Sequence, residues 1–128
     1  MLKRQLVRSF VCASAVTICS TFVLSAVFAA DFLIGSYEAG DLRLTFDDKG
    51  QFHVNKGATT EVSGKYSVKG GQVELTDVKG PWACTNAGQQ TGTYDWKFDS
   101  SALTFSKVAD SCDERSGTLV PAAWKRGK

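Results

Sequence analysis

Gly64-Lys65-Tyr66-Ser67-Val68-Lys69-Gly70-Gly71-Gln72-Val73-Glu74-Leu75-Thr76 decides the fold of this chain. Tyr66 and Val68 alternate with polar residues before Gly70-Gly71, and Val73 and Leu75 alternate with polar residues after it. A period of two places successive side chains on opposite faces of a strand. Two glycines between two such runs supply the backbone angles of a tight turn. The stretch therefore reads as a β-hairpin, 61–69 and 72–78, with one apolar face and one wet face.

The same wording recurs on either side. Gly35-Ser36-Tyr37 precedes Leu44-Thr45, and Gly92-Thr93-Tyr94 precedes Leu103-Thr104. The Gly-to-Leu offsets are 9, 11 and 11, each about two short strands and a turn. Alternation extends through Leu42, Leu44 and Phe46, through Phe52 and Val54, through Trp96 and Phe98, and through Leu103 and Phe105. Eight strands are predicted, at 32–38, 41–47, 51–56, 61–69, 72–78, 90–98, 102–108 and 116–125, with no helix among them. The expected fold is all-β, an eight-stranded antiparallel up-and-down β-barrel, which leaves no open edge. An open sandwich is the alternative.

In such a barrel alternate loops share a rim. The connections Asp47-Asp48-Lys49-Gly50, Gly70-Gly71 and Asp99-Ser100-Ser101 are tight, and Asp and Gly suit such turns. The connections 57–60, 79–89 and 109–115 are longer. One end of the barrel is thus expected to be closed and the other elaborated.

Residues 1–29 stand apart. Lys3, Arg4 and Arg8 open a stretch without acidic residues, and an apolar run from Phe10 to Phe28 follows. Val27 and Ala29 sit three and one residues before a cut preceding Ala30. This is the layout of a secretory signal peptide, so residues 1–29 are expected to be a leader and 30–128 a single barrel domain exported to the periplasm or beyond. A retained membrane anchor is the alternative. Of the 15 basic and 13 acidic residues, the leader carries three basic ones and no acidic one, which leaves 12 against 13, a formal charge of −1. No basic field remains to attract nucleic acid or an anionic membrane.

Cys12 and Cys19 leave with the leader, and Cys84 and Cys112 remain. Two cysteines in an exported chain most simply form one disulfide; free thiols or half of a metal site are the alternatives. Both fall on the long-loop rim, so a bond between them fits the topology. His53 is the single histidine, and no Cys-x-x-Cys is present, so no metal or cofactor is expected.

Ala83-Cys84, Gly92-Thr93-Tyr94-Asp95-Trp96, Leu103-Thr104-Phe105 and Asp110-x-Cys112-x-x-Arg115, ending in Trp124, resemble the pattern of small exported bacterial lipocalin-like proteins. The resemblance implies a calycin-type barrel and no defined activity. It also implies that an arginine, Arg115 or Arg126, stacks across the barrel base. Gly35-Ser36-Tyr37 stands where lipocalins carry Gly-x-Trp.

Catalytic chemistry has few supports. His53 lies between Gln51 and Asn55 on a wet face, and no nucleophile, phosphate loop or dinucleotide motif accompanies it. The expected role is therefore non-enzymatic: binding of a small apolar ligand at the long-loop end. Tyr37, Tyr66, Trp82, Tyr94, Trp96 and Phe105 are the candidate ligand-binding residues, with the rings supplying apolar area and the hydroxyls direction. Filling of a small barrel by these same rings is the competing expectation. The rival function is an interaction module, such as an exported protease or lysozyme inhibitor. It would act through the 79–89 loop or through Ala30-Asp31-Phe32.

Overall fold

The structure is a computed structural model and describes residues 33–127. The expected leader, its cleavage site and Ala30-Asp31-Phe32 lie outside the described residues. The strands are β1 (Gly35–Ala39), β2 (Leu42–Phe46), β3 (Gln51–Lys56), β4 (Thr59–Lys69), β5 (Gln72–Lys79), β6 (Thr91–Asp99), β7 (Ala102–Ala109) and β8 (Trp124–Arg126). Each pairs antiparallel with its neighbour in sequence, and β1 pairs with β8 to close the barrel. Alternation and turn chemistry account for the pairings of β1 through β5 and of β6 with β7, which are joined by short turns, whereas β5–β6, β7–β8 and the β1–β8 closure join strands farther apart in sequence.

The repeated motif has a packing cause. In β1 and β4 its tyrosine faces the leucine of the same repeat across the hairpin, Tyr37 opposite Leu44 and Tyr66 opposite Leu75. In β6 a register shift at Thr93/Tyr94 moves Tyr94 opposite Lys107, and Leu103 faces Phe98 instead. The glycine of each repeat makes room for a close neighbour. A Cβ on Gly64 would lie 2.0 Å from the Thr76 carbonyl oxygen, and one on Gly92 would lie 2.3 Å from Asp110 Oδ2. Gly92→Ala is therefore expected to lower the unfolding free energy by about 1–3 kcal/mol, as overpacking does. Urea denaturation followed by circular dichroism checks this.

The strand expected over 116–125 is a correction. Asp113–Leu119 forms a helix, α1, and only Trp124–Arg126 is strand. Cys112 caps the helix, its Sγ accepting from the Arg115 amide at 3.3 Å, and Asp113 and Glu114 occupy the first turn, where the helix dipole favours acids. Arg115 and Leu119, one turn apart, are its buried residues. Ser116, Gly117 and Thr118 are weak helix formers and disguise the turn as a strand. The connection expected at 57–60 is also shorter, reduced to the two residues between β3 and β4.

Inward residues fill the barrel. Tyr37, Leu44, Phe46, Val73, Leu75, Tyr94, Leu103 and Trp124 are at most 1% exposed, and Leu33 is buried just before β1. The rings meet edge to face: Tyr37 lies against Phe46 and Phe98 with centroids 6.4 Å apart, and Phe46 against Tyr66 at 4.9 Å. Arg126 is the arginine at the base. Its guanidinium lies 5.7 Å from the Tyr37 ring centroid and donates to the Ile34 carbonyl at 3.1 Å. A last-strand arginine over a first-strand aromatic ring in a closed antiparallel barrel is consistent with a calycin-like fold.

Candidate site at the disulfide-braced rim

Two long connections meet at one end of the barrel, 80–90 between β5 and β6 and 110–123 between β7 and β8. Cys84 and Cys112 join them in a disulfide, with a Cα–Cα distance of 6.2 Å and a sequence separation of 28. Closing a loop of that length contributes about 3–4 kcal/mol, mainly by restricting the unfolded chain.

Arg115 completes the clamp. From the first turns of α1 it donates to Asp110 through Nε (2.7 Å to Oδ2) and Nη2 (2.6 Å to Oδ1). The two parallel bonds match the planar carboxylate. Nη2 also donates to the Gln89 carbonyl at 2.9 Å, and Nη1 to the Gln90 carbonyl at 3.1 Å, which ties the end of the 80–90 loop to the helix. Nη1 further lies 3.0 Å from Asp77 Oδ2. Asp110 also accepts from the Cys112 amide at 2.9 Å and from the Tyr94 hydroxyl.

These partners set the protonation states. Burial works to raise the Asp110 carboxyl, but the hydrogen bonds from Arg115, Tyr94 and Cys112 outweigh it and hold it below the ordinary carboxylate value. Burial works to lower Arg115, and Asp110 and Asp77 more than reverse it. Burial, and then the Asp110 hydrogen bond, push the Tyr94 hydroxyl well above its ordinary value of 10. Burial also raises Tyr37 and Tyr66, and the charges of Asp47 and Asp48 add to the rise at Tyr66.

The pH dependence follows. The tyrosine hydroxyls bind protons more tightly in the folded chain. Their contribution is whole below pH 10 and is lost as pH rises through their folded values. Asp110 acts in the opposite direction, contributing fully above 3.8 and losing that contribution as pH falls through its lower folded value. Denaturation midpoints are expected to fall on both sides, and in a spectrophotometric titration of the folded protein Tyr94 ionises last of the three tyrosines.

The six candidate ligand-binding residues are not brought together. Tyr37 and Tyr94 are fully buried and Phe105 nearly so, within the packed core. The Tyr66 hydroxyl donates to the Asp47 carbonyl at 2.5 Å, at the tight-turn end. Trp96 is half-buried against the core, opposite Phe105 on β7. Trp82 alone reaches the rim cleft. It shares this cleft with Phe52 and Val54 of β3, Val62 of β4, Asp77 of β5, and Glu114, Arg115, Thr118 and Leu119 of α1. The cleft has a volume of about 20 Å³, room for about one water.

Asp77 is the residue that sequence reasoning missed. It occupies the third inward position of β5, after Val73 and Leu75, and is 5% exposed. Its Oδ2 accepts from the Cys84 amide at 2.8 Å and faces Arg115. Its Oδ1 is buried and accepts no hydrogen bond. The signal was present: the period of two puts Asp77 inward and Val78 outward, where Val78 is 52% exposed, the reverse of the usual distribution. The Asp77 carboxylate and both sulphurs lie within 4.8 Å of one another, a spacing that could suit a cation, but the sulphurs are bonded to each other. No family model, curated protein or solved structure matches this chain.

Proposed function

We propose that this protein is a non-enzymatic, exported binding module of lipocalin-like type that engages a partner polypeptide through the disulfide-braced rim. The observation that carries this reading is a filled barrel beside a small braced cleft. A free ligand normally needs a pocket of about 300–1,000 Å³ that covers most of its surface. A cleft of about 20 Å³ admits only the tip of one side chain. A protein partner can work with so little, because the surrounding rim supplies the contact area and the socket receives one anchor. Trp82, half-buried, and Val120, 38% exposed just after α1, offer apolar area there. The cross-link and the Arg115 clamp keep that rim in one shape, which lowers the ordering cost of association. The disulfide suits an oxidising compartment, and residues 1–29 suit an export leader.

Affinity capture of exported proteins on the oxidised barrel tests this reading. Saturable capture that is lost with Trp82→Ala and Val120→Asp, and kept with Gly71→Ser at the opposite rim, is expected. Capture that ignores the rim variants would refute it. A small apolar ligand at the same rim is the second reading, favoured by the walls of Phe52, Val54, Val62 and Leu119. Quenching of tryptophan fluorescence by fatty acids or retinoids, abolished by Trp82→Ala, would select it.

A further inference from the structure

The open valence of Asp77 defines what the rim can accept. We propose that the cleft is a socket for an alkylammonium group, the side chain of a lysine presented by the partner; this rests on the rim-binding reading above. Asp77, Asp110 and Arg115 form a buried cluster of two carboxylates and one guanidinium, with a formal charge of −1. The guanidinium has its N–H groups committed to Asp110, Asp77, Gln89 and Gln90, so it can neither complete Asp77 Oδ1 nor attract an anion. The Thr118 hydroxyl already donates to the Glu114 carbonyl at 2.8 Å. A buried carboxylate oxygen without a donor is costly, so an incoming N–H is favoured over an apolar tip.

The shape selects among cations. Room for about one water fits the compact ammonium head rather than the broad guanidinium fork. With the head in the cleft, the methylene stem would lie at its opening beside the half-buried Trp82. Trp82 offers a ring face and Glu114 a second negative charge at the same opening.

The test titrates the oxidised, isotope-labelled protein with Nα-acetyl-lysine N-methylamide and with its norleucine counterpart, which keeps the stem and lacks the charge. Saturable shifts of the Trp82 indole and the Asp77 and Thr118 amides are expected with the lysine compound. The norleucine compound is expected to bind about tenfold or more weakly, in line with a hydrogen bond to a charged group. Asp77→Asn should erase most of that preference. Glu114→Gln, which leaves the buried cluster intact, should reduce it severalfold and serves as the second variant if Asp77→Asn does not fold. Equal binding of the two compounds, or no rim shifts with either, would overturn the proposal. Rim-dependent partner capture without any lysine preference would remove the ammonium and leave the rim-binding reading standing. Lysine preference without rim-dependent capture would remove the partner lysine as occupant.

Discussion

Replacing Arg115 by methionine is expected to lower the unfolding free energy by about 3–5 kcal/mol, the usual cost of removing one partner from a buried ion pair. Two carboxylates would remain without their cation. The side chains of Asp77 and Asp110 are 2% and 0% exposed, so bulk water could not replace the lost guanidinium contacts. Methionine preserves much of the stem's packing, so the loss reports charge rather than volume. The Gln89 carbonyl would also lose its Arg115 donor, the Gln90 carbonyl would keep only the Asp77 amide, and the 80–90 loop would be held by the disulfide, the Asp77–Cys84 bond and the Ser111 bond to the Gly88 carbonyl. Urea melts of wild type and variant give the difference. It should narrow as pH falls, because Asp110, which Arg115 holds below the ordinary carboxylate value in the wild type, protonates once that cation is gone. A difference that stays constant with pH would mean that packing, not charge, was lost.

The second large effect is expected at Trp124. Its side chain is fully buried, and its indole donates to the Leu119 carbonyl at 3.2 Å. It stands opposite Leu103 at the start of β8, the three-residue strand that closes the barrel against β1 and β7. Trp124→Ala removes the largest side chain of the core and is expected to cost about 3–5 kcal/mol. The indole also satisfies the carbonyl at the end of α1, so the variant should loosen the helix and the rim cleft that it walls. Near-ultraviolet circular dichroism would then change at the rim as well as in the core. Trp124→Phe keeps a ring and loses the hydrogen bond, and should cost distinctly less.

Most of the strands were legible because each hairpin carries its own instructions. Gly70-Gly71 between alternating runs needs no distant partner to become a turn. The pairing of Cys84 with Cys112 was legible because only these two cysteines follow the expected leader, and loop parity, which places both on one rim, agrees with it. α1 was not legible as a helix. Its two turns depend on a cap from Cys112, a residue held in place by Cys84 twenty-eight positions away, and on burial of Arg115 and Leu119 against strands that come earlier in the chain. The six candidate binding residues shared an aromatic character but not a location. Their faces could be read, whereas the depth to which each ring sinks depends on what its neighbours leave open.

Local chemistry in the chain was thus enough to favour an antiparallel β-barrel of neighbouring hairpins with tight and elaborated ends and a Cys84–Cys112 cross-link, because period, turns and parity all act over short sequence distances. Only the tertiary structure decided that the barrel is filled, that Arg126 covers Tyr37, and that Asp77 keeps one oxygen open beside Arg115. Those outcomes depend on volumes and unpaired donors summed over strands far apart in sequence, and no local pattern records such a sum.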